Sequence, residues 1–159
     1  MNEEYAAIIT GLPLFKGYTP DGAKRILRCG EIKLASSGEV LFKEGDPPAF
    51  VLLVLKGKLQ VYVERHGRDM VLTDAGPSKI LGELSVLCGI QRSASVREIE
   101  DSTVLQWDAL EFRGLLFKDV FLSERIFRES LRTLIDKERA LIDSLTQSKD
   151  TPQQSEQTA

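Results

Sequence analysis

Cysteine and histidine are nearly missing: the chain has two cysteines, Cys29 and Cys88, and one histidine, His66, in 159 residues. So few ligands build neither a disulfide framework nor a metal site. Both cysteines are expected to be buried small hydrophobes. No serine, aspartate or cysteine stands in a catalytic pattern with His66, which reads as a solvated turn residue, so no catalytic residue is expected. Long hydrophobic runs are missing too, and none approaches the roughly 20 residues of a membrane span. The start, MNEEYAAIIT, is acidic rather than leader-like, so a cytoplasmic protein without membrane contact is expected. There is no dense Lys/Arg block and the net charge is −3. Binding along a nucleic-acid backbone is therefore not the expected main activity.

The residues that are present suit one domain with its own core. Residues 1–30 read as helical, with an apolar patch at Tyr5–Ile9 and a helix start at Thr19-Pro20-Asp21. There Thr19 caps, Pro20 takes the first helical position and Gly30 ends the helix. Residues 31–107 change to short runs rich in Val, Leu and Ile, punctuated by Gly, Pro, Asp and Ser. Expected strands are 32–35, 40–43, 50–55, 58–64, 70–73, 79–81, 93–99 and 103–107, with tight turns at Lys56-Gly57 and His66-Gly67-Arg68-Asp69. The fold class is mainly β with flanking helices (α+β): a small antiparallel barrel or jelly roll.

Helices return over residues 108–147. Asp108 caps the helix 109–116, and a long helix is expected from Asp119 to Gln147. On it Phe127, Leu134 and Leu141 recur, with Leu131 and Leu145 beside them and Ile126, Ile135 and Ile142 widening the stripe. Packing on the roll is the default for this face. Pairing with a second copy, a seam that Glu138 interrupts, and covering a ligand are the alternatives. Residues 148–159 are polar and are expected to be a disordered tail.

Function is concentrated in ILGELSVLCGIQRSASV, residues 80–96. Glu83 and Arg92 lie nine positions apart, with Gly82 and Gly89 allowing sharp turns at either end of a short helical segment. Arginine suits a phosphate, because its planar fork is permanently charged and donates two hydrogen bonds at once. Backbone N–H groups at Glu83–Ser85 and the Ser93 hydroxyl would add donors, and the Glu83 carboxylate would accept from a sugar hydroxyl. Taken by spacing alone, the same residues also read as turn glycines, a capping acid and a solvated arginine.

Gly82-Glu83-Leu84-Ser85 and Arg92-Ser93-Ala94-Ser95-Val96 resemble the phosphate-binding cassette of cyclic-nucleotide-binding domains, the family of catabolite activators and protein kinase A regulatory subunits. VLFKEGD (40–46) and VLKGKLQVYV (54–63) resemble two further signatures of that family in the same order. Ser85 stands where alanine is usual, Pro47-Pro48 follows Gly45-Asp46 where a glycine is common, and Ser78 replaces a frequent glycine. The resemblance implies an eight-stranded β-roll. Glu83 would hold the ribose 2′-hydroxyl and Arg92 the cyclic phosphate, with Gly82, Leu84, Ser85 and Ser93 completing the site.

By the same resemblance the ligand is cAMP, with cGMP possible, because Ser93 stands where threonine is associated with cGMP. Ser130 and Thr133 lie near the depth of a base, though a wet helix face explains them equally well. The expected function is a regulatory receptor that signals to an effector protein through its last helices. A homodimer through the C-terminal helix is a further expectation, and DNA is not an expected partner. A scaffold that keeps the fold and has lost the ligand is the alternative.

Overall fold

The computed structural model describes residues 2–149, and its layers are set by one strand, β3 (Phe50–Lys56). Side chains alternate across a strand, so its run Val51–Leu55 feeds two cores at once. Val51, Leu53 and Leu55 join the cluster that packs against the helices, and Leu52 and Val54 join the interior of the roll. All five are buried.

Around it stand β1 (Glu31–Ala35), β2 (Val40–Phe42), β4 (Leu59–Arg65), β5 (Arg68–Ala75), β6 (Ile80–Leu81), β7 (Ser95–Glu98) and β8 (Ser102–Asp108). They form two antiparallel four-stranded sheets, ordered β1-β8-β3-β6 and β2-β7-β4-β5. This is the expected eight-stranded roll. The β4–β5 hairpin closes through His66 and Gly67, both left-handed at φ 56° and 72°, the geometry that matches the twist of paired strands. Lys56-Gly57 does otherwise: β3 and β4 belong to different sheets, so this turn carries the chain between layers rather than closing a hairpin.

Helices α1 (Asn2–Gly11) and α2 (Pro20–Arg28) flank a 3-10 turn at Pro13–Phe15. Thr19 Oγ1 accepts from the Gly22 N–H at 3.1 Å, the expected cap. After the roll come α4 (Ala109–Lys118) and α5 (Val120–Lys149), with a short α3 (Glu83–Cys88) between β6 and β7. Asp108 Oδ1 accepts from Glu111 N at 2.8 Å and Asp119 Oδ1 from Leu122 N at 3.0 Å, so both C-terminal helices are capped. Trp107, Phe15, Phe112, Leu122 and Ile126 are fully buried where the helices meet the roll. Each such side chain stabilises the fold by about 1.5–3 kcal/mol.

Three expectations change. Of the long helix only Leu122, Ile126 and Ser130 are buried among the described residues, and Phe127, Leu131, Leu134, Leu141 and Leu145 stay 43–66% exposed. Cys88 is exposed at the end of its short helix, outside both cores, and Cys29 is only half-buried, packed against the margin of the helix-side core. Ser148 and Lys149 continue α5, and the rest of the expected tail, residues 150–159, lies outside the described residues.

Glu98 of β7 is 1% exposed, and both its carboxylate oxygens lack a hydrogen-bond partner. Burial pushes its pKa up to about 7, reinforced by the nearby Glu39 and Asp101. A carboxyl raised on folding stabilises most below its unfolded pKa, and that stability is lost as pH rises through the folded value. Glu98→Gln should therefore raise the melting temperature at about pH 8, by several degrees for about 2 kcal/mol, and do little at about pH 5. Melts at the two pH values check this, and an equal shift at both would exclude the titration.

Candidate functional site

The cassette is a strand, a sharp turn and one short helix. β6 is held against β3 through Leu52–Leu81 and Leu53–Ile80 pairing. The chain then reverses at Gly82, where φ is 82°, and enters α3. That helix ends at Gly89, φ 65°, whose N–H donates to Ser85 O, a left-handed stop that favours glycine. The returning loop is knitted to the β2–β3 connection, since Arg92 N donates to Asp46 O at 2.9 Å and Gly45 N to Arg92 O at 2.8 Å. β7 begins only at Ser95, later than the strand expected from residue 93, because residues 92–94 bend around the loop.

A cavity of about 520 Å³ opens between this cassette, the roll interior and α5, and Gly82, Glu83, Leu84, Ser85, Arg92 and Ser93 all line it. Its size falls in the range of small-molecule sites, roughly 300–1,000 Å³. Phe42, Val61, Ala75 and Val96 give it an apolar wall, and Ser130, Thr133, Asp136 and Lys137 of α5 close one side.

Arg92 is 3% exposed, and its guanidinium is turned inward. Nη1 donates to Gly82 O at 2.8 Å and Nη2 to Phe50 O. The group lies 4.2 Å from the Phe42 ring centroid and 5.1 Å from that of Phe50. Its Nε has no partner. Burial lowers its pKa, opposed by Asp46 and Glu83, but a guanidinium stays charged in a protein. An incompletely paired cation is thus held in the wall.

Glu83 faces α5: its Oε1 accepts from Ser130 Oγ at 2.9 Å. Burial raises its pKa, with its own backbone N–H, Ser130, Lys137 and Arg92 opposing. A desolvated carboxylate and a guanidinium therefore share one apolar cavity, a setting that suits a ligand carrying both a hydroxyl and a negative charge.

All six residues expected from the sequence meet in this cavity. Ser130 goes further than either reading of it, being 7% exposed and bonded to Glu83 rather than on a wet face. Asp136 and Lys137 were not foreseen, and their only signal was their place on the same side of the helix as Thr133. Among the described residues, no group of three or more His, Cys, Asp or Glu is placed to hold a metal, and no helix is long and apolar enough to cross a membrane.

A roll of this topology with its cassette between β6 and β7 defines a known class, and the chain belongs to the cyclic nucleotide-binding domain family, whose pattern matches residues 32–119. Among its relatives, the cyclic AMP receptor protein of Thermus thermophilus is 32% identical over 96 residues, 60% of this chain and 44% of that protein. The cAMP-dependent protein kinase regulatory subunit of Blastocladiella emersonii is 26% identical over 74% of this chain and 30% of that one. The crystal structure of the Thermus thermophilus catabolite activator protein superposes with a TM-score of 0.74 at 27% identity, covering 84% of this chain and 63% of that one. The chain spans less than half the length of these two sequence relatives.

Gly82 has the tightest fit in the site. A Cβ there would collide with the Arg92 guanidinium, and its φ of 82° disfavours any other residue. Gly82→Ala should cost about 2 kcal/mol and displace the Arg92 side chain. Chemical denaturation measures it, and a loss below about 0.5 kcal/mol would show that the turn relaxes freely.

Proposed function

We propose that the chain is a cyclic-nucleotide receptor domain that binds cAMP in preference to cGMP and regulates a separate effector through α5. The observation that carries this reading is that the acid and the arginine of the family cassette lie on one cavity wall, each held by a contact that a ligand can replace. A cyclic phosphate would compete with the Gly82 and Phe50 carbonyls for Arg92. The backbone N–H groups of Leu84 and Ser85 and the Ser93 hydroxyl would add donors. A ribose 2′-hydroxyl would compete with Ser130 for Glu83, and the apolar wall would take the base.

Exchange at Glu83 releases the bond between cassette and helix, so binding shifts the position of α5 and a partner reads the shift. The chemistry required is binding alone, without a catalytic residue, and the setting proposed is cytoplasmic. Preference for cAMP rests on Ser93 and on the two relatives named for cAMP. One observation favours the scaffold instead: both ends of the Arg92 fork are already satisfied by backbone carbonyls.

Calorimetric titration separates the two. cAMP should bind more tightly than cGMP, and both Arg92→Ala and the volume-conserving Glu83→Gln should weaken cAMP, the former by about a hundredfold. Saturating cAMP should also raise the melting temperature of the native chain. No heat and no melting shift with either nucleotide would leave the scaffold reading.

The same helix supports a homodimer. Phe127, Leu131, Leu134, Leu141 and Leu145 form an exposed apolar stripe, and the seven-residue recurrence suits a two-stranded seam. Glu138 falls inside that seam and interrupts it. Light scattering at micromolar concentration should give a dimer, and Leu134→Glu with Leu141→Glu a monomer; a native monomer would count against the seam.

A further inference from the structure

A second cavity, of about 790 Å³, lies where the 3-10 turn and α2 meet the α4–α5 junction. Lys16, Arg25, Arg28, Lys118 and Arg125 line it, against Asp119 as the one carboxylate among its lining residues. That carboxylate is already engaged, accepting from the Tyr18 hydroxyl at 2.5 Å and from Leu122 N at 3.0 Å. Among the described residues, none of the five cations has a carboxylate oxygen within 4.0 Å. Only Arg125 has its side chain anchored, donating from Nη1 to Leu14 O at 3.0 Å and lying 5.8 Å from the Tyr18 ring centroid.

The chain as a whole carries −3, so positive charge gathered here is a local excess that draws a counter-charge from outside. The groove is also apolar in part. Ile26 and Leu115 contribute to its lining, Phe121 on its edge is 75% exposed, and Phe117 before it is 89% exposed. A small anion would meet the cations and leave these rings in water. A polypeptide that alternates acidic and apolar residues uses both.

We propose that this groove docks an acidic, amphipathic segment of a partner protein. Carboxylates of that segment pair with Arg25, Arg28, Lys118 and Arg125, and an apolar side chain covers Phe121. This gives the effector a chemistry, and it rests on the nucleotide reading only for its linkage to the cassette. That linkage is short, because Arg125 in the groove and Ser130 on Glu83 are carried by the same helix.

The test is fluorescence anisotropy of the full chain with a fluorescein-labelled peptide of Glu, Asp, Leu and Phe in alternating acidic and apolar pairs. The control is the same peptide with Gln and Asn for its acids. The acidic peptide should bind saturably and weaken with salt. Binding should fall at least about tenfold in Arg25→Glu/Arg28→Glu and measurably in Phe121→Ser. Arg25 and Arg28 are exposed, and an unchanged melting temperature confirms that the variant folds.

Equal binding of the neutral peptide, or undiminished binding by both variants, would overturn the proposal. So would absence of peptide binding together with co-sedimentation on phosphatidylserine vesicles that the charge reversal abolishes, which would make the groove a membrane contact. Titration with cAMP is run in parallel. Peptide binding without nucleotide binding overturns the receptor reading alone, and nucleotide binding without peptide binding overturns the docking alone.

Discussion

The guanidinium of Arg92 is the constraint around which the site is arranged. It is a permanent charge placed beside two phenylalanine rings and held by two backbone carbonyls, Gly82 O from the cassette turn and Phe50 O from the start of β3. Taking such a group out of water costs several kcal/mol, which the surrounding contacts must offset. They offset it incompletely, since Nε is left without a partner. The cassette turn, β3 and the β2–β3 connection are thereby tied to one side chain. This explains the glycine at position 82, where the chain must pass the guanidinium closely enough to leave no room for a Cβ.

Glu83 carries the other half of the arrangement. Its carboxylate is buried with Ser130 as a hydrogen-bond donor, which makes the cassette and α5 neighbours through one polar contact rather than through broad apolar packing. α5 is thirty residues long, roughly 45 Å at the rise of a helix. Its buried residues, Leu122, Ile126 and Ser130, all lie in its first eleven residues, Val120 to Ser130. What holds the helix is therefore local, and Ser130 is the last point of attachment along it.

Much of this was legible in the residues. Glycine and proline punctuation marked eight strands, and Thr19 and Asp108 announced helix starts that their side chains indeed cap. The cassette residues were found because turn glycines, an acid and an arginine stand close together in the chain and so meet in space without help from the fold. What escaped is what depends on long-range packing. Arg92 was read as a ligand for phosphate, and nothing in its neighbours said that Phe42 and Phe50, forty or more positions earlier, would supply a stacking site. The stripe on α5 was assigned to the roll by periodicity, which measures that a face is apolar and is blind to what covers it. Cys88 was assigned to the interior by residue type, although a six-residue helix at the surface buries only one side.

The strength of the Glu83–Ser130 contact bounds what the site can transmit. A hydrogen bond from a neutral hydroxyl to a carboxylate contributes about 1.5–3 kcal/mol, and a ligand shifts a helix only by the difference in its affinity for the two positions. If release of this bond is the event that frees α5, coupling between the cassette and anything α5 touches lies near 1–3 kcal/mol, about a 5- to 150-fold change in a partner's affinity. That range is enough to regulate a weak partner and too small to hold the helix in one place against a strong one. A groove of unpaired cations near the base of α5 suits this scale, because exposed charge contacts are individually weak and add up to an affinity that a modest displacement of Arg125 can change.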